Sequence, residues 1–456
     1  MNSDANVQRI PKRILNTLLS ALAAGVVPRV GAPYVAIGRK DEIAALLSDL
    51  EQIDEGGSTM RFIIGRYGSG KSFLIQLIRG YALERDFLTA DADLSPERRL
   101  YGTGGSGVAT YRELIKNLAS KSSPDGNALP KIIARWVDVL RAEVLSKGVS
   151  PDDANFANML NIAVSEKLSE IEFMVGGFDF SRVITEYYRA ICEDNDDKKR
   201  ACLCWLRGEF STKTEARSAL GFNVSVIIDD DNWYDFIKLI SSLSVKLGYS
   251  GLILFIDECV NLYKIPNRIP REANYEKILT IFNDTLQGKA KSLGIIFGGT
   301  PQFLEDTRRG LFSYEALKSR LEDSRYGALG YQNLSSPVIR LRTLSDNELL
   351  ALVRRLTKLY AEKEGMEAPP ITDEEIVAFL TNALSKTGVE EMITPREIIR
   401  DYLTLLNILK DNKDVKLSDL LGKISYDLSR DSEGDVIVKN SKLPGNNKIN
   451  LFDIDI

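Results

Sequence analysis

Histidine is absent from all 456 residues. That excludes His-based nucleophile triads, HExxH metal sites and any imidazole general base, so chemistry must run on carboxylates, lysine, arginine and bound metal. Only four cysteines occur, Cys192, Cys202, Cys204 and Cys259. They lack the paired spacing of a zinc site and read as reduced packing residues. No unbroken apolar run approaches the ~18 residues of a membrane span. Charge of one sign is not in excess either: a net charge of −5 gives no general pull toward nucleic acid or an anionic membrane, so any DNA contact must come from a local patch. With 44% hydrophobic and 27% charged residues the chain has the composition of a soluble globular protein, and its length suggests two to four domains or one enlarged one.

Near the start, Arg9, Lys12 and Arg13 precede Ile14–Ala24, which imitates the basic and apolar regions of a secretory leader. Asn16, Thr17 and Ser20 interrupt that run, and Ile14, Leu15, Leu18, Leu19 and Leu22 share one helical face. The segment therefore reads as an amphipathic packing helix, with the cytoplasm as the expected location.

What is present is concentrated in Gly65-Arg66-Tyr67-Gly68-Ser69-Gly70-Lys71-Ser72, a match to G-x-x-x-x-G-K-[ST]. Met60–Ile64 before it reads as a strand, and Phe73–Ile78 after it as a helix. In that context the glycines let backbone N–H groups close around phosphate oxygens while the helix N-terminus adds its dipole. The cradle is taken as Gly65, Tyr67, Gly68, Ser69, Gly70, Lys71, Ser72 and Phe73, and its ligand as ATP with Mg²⁺. Lys71 supplies charge to the terminal phosphates and Ser72 a hydroxyl to the metal.

Such a cradle needs a second strand ending in acids. Leu252-Ile253-Leu254-Phe255-Ile256-Asp257-Glu258 has the continuous apolar run of a strand buried on both faces, followed by two carboxylates. Asp257 joins Ser72 as a metal ligand, and Glu258 is the general base that polarises water. A further apolar strand, Leu293–Gly299, ends at Thr300, and another, Val338–Leu341, follows Arg308, Arg309, Arg320 and Arg325. From Ser345 the apolar spacing turns helical, with a third helix opening at the Thr394-Pro395-Arg396-Glu397 cap.

Taken in order, Ile37-Gly38-Arg39, GRYGSGKS, LILFIDE, IIFGGTP, the helix carrying Arg320 and TPREIIR resemble an AAA+ ATPase of the initiator-like (Orc/Cdc6-like) branch. Gly25–Arg29, Trp205–Glu209, Phe297–Pro301 and Arg309–Leu317 further resemble the ATP-binding proteins of BREX-type phage-defence operons, the BrxD-like family. The resemblance covers roughly residues 10–410. It implies an α/β fold, an AAA+ P-loop core of parallel sheet and flanking helices with a large helical insertion and a small helical lid. It further implies that Ile37, Gly38 and Arg39 bind the base and that Thr300 orients the lytic water. In the same way Arg396 reaches the nucleotide from the lid, and Arg320, with Arg325 in reserve, reaches the site of a neighbouring subunit.

The stretch from Lys71 to Asp257 exceeds by roughly 100 residues the ~60 that one strand and two helices need. Leu88–Leu94 reads as the second core strand and Trp233–Leu247 as the helix before the acidic strand, so the excess forms a helical insertion with its own core. The expected divisions are an N-terminal segment 1–34, an α/β core in 35–119 and 231–343, the insertion 120–230, the lid 344–411 and a tail 412–456. Lys198, Lys199, Arg200 and Arg207 around Trp205 offer a backbone-binding patch, but Asp194, Asp196 and Asp197 argue for a mixed solvated surface. Gly102–Gly107 reads as a flexible connector, since no strand, lysine and helix surround it as in a phosphate site. The tail, with Gly434–Lys439 as one possible strand, is too short for the winged-helix domain with which initiator-like relatives read DNA.

The expected function is ATP hydrolysis in an anti-phage defence complex acting on DNA. The partners are a second copy across the nucleotide interface and defence-system proteins, with DNA contacts indirect or non-specific and no membrane. The alternatives are an ATP-gated switch or scaffold with little turnover, and a DNA-stimulated motor or loader.

Overall fold

The computed structural model describes residues 10–150, 153, 155–323, 333–384 and 394–421. Helix α1 (Lys12–Ala23) and α2 (Lys40–Asp54) precede β1 (Ser58–Ile64), α3 (Lys71–Glu84), β2 (Leu88–Asp93) and α4 (Ser106–Lys116). Next come α5 (Leu129–Ser146), α6 (Phe156–Glu172), α7 (Gly177–Cys192), α8 (Asp196–Leu206), α9 (Lys213–Leu220) and α10 (Trp233–Lys246). Then β3 (Leu252–Asp257), α11 (Val260–Tyr263), α12 (Arg268–Leu286), β4 (Leu293–Gly299), α13 (Pro301–Glu305), α14 (Glu315–Leu321) and β5 (Val338–Arg340) complete the sheet region. Last are α15 (Asp346–Glu364), α16 (Asp373–Leu384), α17 (Pro395–Asp411) and α18 (Leu417–Leu421). No helix among the described residues is long and apolar enough to cross a membrane.

Among the described residues, five strands form one parallel sheet in the order β2-β3-β4-β1-β5. This is an α/β architecture consistent with a P-loop NTPase core. Their apolar runs are buried on both faces, as parallel strands covered by crossover helices must be. Register brings Asp93 opposite Asp257 and Ile64 opposite Gly299, so the carboxyl ends of four strands converge on one edge. That edge is where ligands bind in sheets of this kind.

Among the described residues, three apolar clusters hold the fold. Ile63, Ile253, Phe255 and Ile296 pack under α2 and α3 on one face. On the other face, Phe62, Leu254 and Phe297 belong to one continuous cluster that runs into Trp136, Val164, Val183, Trp205 and Phe236. The helices between β2 and β3 therefore do not enclose the separate core expected of them; they extend the core of the sheet. The physical reason is that the apolar faces of α4 and α10 bridge sheet and helices in one cluster. The third cluster joins Leu15, Leu18, Leu19 and Leu22 of α1 to α15, α16 and α17, placing the N-terminal amphipathic helix on the C-terminal helices.

The glycine loop before α4 is tied rather than loose. Gly105 adopts a left-handed φ of 85°, and the Gly105 and Val108 amides both donate to the Asp230 carboxylate at 2.8 Å. An internal carboxylate thus occupies the donors that a second phosphate would need. In the basic run of α8, Lys199 pairs with Asp194 and Asp196, Lys198 with Glu186, and Trp205 is buried. The possible strand Gly434–Lys439 lies outside the described residues.

Candidate nucleotide-binding site

The glycine-rich loop leaves β1 at Ile64 and enters α3 at Lys71. Gly68 and Gly70 take left-handed φ values of 74° and 93°, which glycine adopts without strain. The Ser69 hydroxyl is buried and meets no hydrogen-bond partner among the described residues. Buried hydroxyls are rarely left so, and this one stands in a loop of backbone donors at a helix N-terminus, a donor set that fits a phosphate. Lys71 Nζ donates to the carbonyls of Gly65 (2.8 Å) and Arg66 (3.1 Å), folded back over the same loop.

Ser72 Oγ donates to Asp257 Oδ2 at 2.8 Å, so the two residues assigned to one metal from the sequence meet in space. Asp257 is fixed at its other oxygen, where Oδ1 accepts the Glu258 amide at 2.8 Å. A Cβ on Gly298 of β4 would overlap that oxygen, so the glycine makes room for the carboxylate. A hydroxyl and a carboxylate form the hard oxygen donor set suited to Mg²⁺. Glu258 holds a left-handed φ of 57° and keeps an exposed side chain. Partial shielding, then the charges of Asp257 and Asp93, push its carboxyl above the usual range. Asp93 is pushed up likewise, by shielding and then by Asp257.

Thr300 follows β4, and its hydroxyl accepts the Phe303 amide at 3.3 Å as the cap of α13. From the helical side, α17 opens with a capping box between Thr394 and Glu397 and meets the loop directly. Arg396 Nη1 donates to the Tyr67 hydroxyl at 3.1 Å, and its guanidinium lies 5.6 Å from the ring centroid. Ile37 and Phe73 both border the cluster formed by α1 and α15–α17.

Arg39 differs most from its expected setting. Its side chain is buried, and Nη2 donates to the carbonyls of both Ser69 and Arg342 at 2.8 Å. Gly38 has φ 75° and passes so close to α15 that a Cβ would lie 2.8 Å from Glu348 and Leu344 atoms. Arg320 is exposed on α14, where Nη1 donates to its own helix at Ala316, and is not part of this cradle. Arg325 lies outside the described residues.

Asp93 joins the site with only a faint signal in the sequence, the alternation Asp91-Ala92-Asp93 at a strand end, and the approach of Thr394 to the loop has none. No curated protein matches this chain. The family model of the BREX system ATP-binding protein BrxC/D matches residues 10–425, and the chain belongs to that family.

Proposed function

We propose that this protein is an AAA+ ATPase that binds ATP with Mg²⁺ between the sheet edge and a lid formed by α15–α17, and hydrolyses it within an anti-phage defence complex acting on DNA. The observation that carries the reading is the 2.8 Å hydrogen bond from Ser72 to Asp257 beneath the glycine-rich loop. The family's description as BREX ATP-binding proteins supports both the ligand and the defence setting.

Bound Mg²⁺ would be held by Ser72 and Asp257 and would neutralise phosphate charge. Lys71 swings from the Gly65 and Arg66 carbonyls to the terminal phosphates. Glu258 accepts a proton from water, for which an ionised carboxyl is required, and Thr300 orients that water. Ile37, Gly38 and Phe73 border the base, and Arg396 exchanges Tyr67 for phosphate. Arg320 acts in the site of a neighbouring copy, where an arginine of this kind contributes roughly 10³–10⁵ in rate. The helices of residues 120–230 present the surface for defence partners, and ATP supply places the protein in the cytoplasm.

The direct contact of α17 with the phosphate loop favours a second reading. ATP binding alone repositions the helical cluster and assembles partners, with slow turnover as the reset. Steady-state ATPase activity against protein concentration, with and without duplex DNA, separates the two. Specific activity that rises with concentration and vanishes in Glu258→Gln supports the enzyme. Measurable ATP affinity with flat, negligible turnover leaves the switch.

A further inference from the structure

Arg39 is a buried cation with an unusual set of acceptors. Its nearest carboxylate, Glu42, is 3.4 Å away, while a single nitrogen, Nη2, serves two backbone carbonyls that belong to different parts of the molecule. One is Ser69, in the phosphate loop between Gly68 and Gly70. The other is Arg342, two residues past β5 in the connector that leads into α15. Burial pushes the Arg39 pKa down, with Glu42 opposing that effect, so the group is retained against a desolvation cost.

The connector is itself tied to α15 at its far end. The Arg342 side chain forms a two-point pair with Glu348 at 2.7 and 2.5 Å, and Glu348 also closes the capping box of α15 on Ser345. These contacts hold Glu348 down to a pKa of about 2. Gly38, next to Arg39, is packed against Glu348 and Leu344. Movement of the Ser69 carbonyl therefore has a short mechanical route to α15, through one guanidinium nitrogen, one carbonyl and one ion pair.

We propose that Arg39 is a positioning residue that couples occupancy of the phosphate loop to the placement of α15–α17, and not a contact to the base. This rests on the reading that the loop takes a nucleotide. When phosphate draws the loop amides inward, the Ser69 peptide reorients. Arg39 carries that reorientation to the Arg342 peptide, because the two N–H groups of Nη2, fixed in the guanidinium plane, hold both acceptors at once. Lysine at this position keeps the charge beside Glu42 but is one bond shorter and carries its donors on a freely rotating ammonium, so it does not hold the two carbonyls in one fixed geometry.

Hydrogen exchange with and without a non-hydrolysable ATP analogue and Mg²⁺ tests this in the full chain. In the parent protein the analogue should slow exchange at residues 65–75 and at 342–350. Arg39→Lys should melt within a few degrees of the parent and bind the analogue within about threefold. It should keep the protection at 65–75 and lose at least half of that at 342–350. Arg39→Ala should show the same uncoupling with a lower melting temperature. Protection at 342–350 that survives in Arg39→Lys overturns the proposal, as does a loss of affinity that tracks loss of stability in both variants. Absence of protection at 65–75 in the parent protein overturns the nucleotide reading itself.

Discussion

Gly68 packs so closely beneath Thr394 that a Cβ on the glycine would overlap the threonine side chain. The phosphate loop and the N-terminus of α17 therefore meet at a residue without a side chain, in a left-handed conformation with φ 74°. Gly68→Ala should fold, because its neighbours lie outside the three apolar clusters. It carries about 1–2 kcal/mol of backbone strain and must also push α17 away. ATP affinity by titration calorimetry should fall roughly tenfold or more on that estimate. An unchanged affinity would mean that Thr394 leaves the loop when nucleotide enters.

The Ser72–Asp257 hydrogen bond makes the metal dependence specific. Asp257→Asn removes the negative charge of one donor and Ser72→Ala removes the other donor, while β3 and α3 stay packed. Both variants should lose the increase in ATP affinity that Mg²⁺ gives the parent. Turnover should drop by about two orders of magnitude or more, since a metal contributes several kcal/mol of charge stabilisation. A Mg²⁺ titration of ATP binding, with EDTA as the zero point, measures it. Equal Mg²⁺ dependence in all three proteins would remove the pair from the metal site.

Local structure was legible where pattern and element coincide. The loop, the acidic strand and the alternating helices between β2 and β3 could be read because apolar spacing and glycine placement depend only on near neighbours. The second core strand, which the sequence places at Leu88–Leu94, ends one residue earlier, at Asp93. Long-range choices were not readable. Nothing in Gly38-Arg39 states that the guanidinium turns inward to the carbonyls of Ser69 and Arg342, 30 and 303 positions away. Nor does helical periodicity tell a self-contained bundle from one that extends the core of a sheet, as Trp205 and Phe236 do here.

Glu258 gives a pH signature. Its carboxyl lies above the usual range because of shielding and then the Asp257 and Asp93 charges. A carboxyl raised in the fold favours folding below its unfolded pKa and loses that contribution as pH rises through the folded value. Since Glu258 is exposed, activity is the better readout than stability. As a base it must be ionised, so kcat should decline on acidification while still above the ordinary carboxylate range near 4.3. Asp93→Asn removes one negative neighbour and should move that acid limb to lower pH. Glu258→Gln should lower kcat by about 10²–10⁴ and abolish the limb. An acid limb unmoved by Asp93→Asn would detach it from this pair of carboxyls.

Arg61 tests whether the strand carrying the loop depends on a buried ion pair. It stands in the middle of β1, where every other strand position is buried. Its guanidinium donates to both oxygens of Asp49 on α2, at 2.7 and 2.6 Å, and to the carbonyls of Leu334 and Ser336. The two side chains are only 12% and 10% exposed. Removing one partner of such a pair leaves a buried charge, which costs about 3–5 kcal/mol, whereas replacing both with apolar groups of similar volume is often neutral. Asp49→Ala should therefore lose about 3 kcal/mol in urea unfolding, the low end of that range because the two carbonyls still serve Arg61. The double variant Asp49→Leu with Arg61→Met should recover most of that loss. Because β1, which carries Arg61, runs directly into the phosphate loop at Gly65, Asp49→Ala should also weaken ATP binding, and the double variant should restore it. A loss below about 1 kcal/mol, the usual value of an exposed pair, would show that Arg61 needs only the carbonyls.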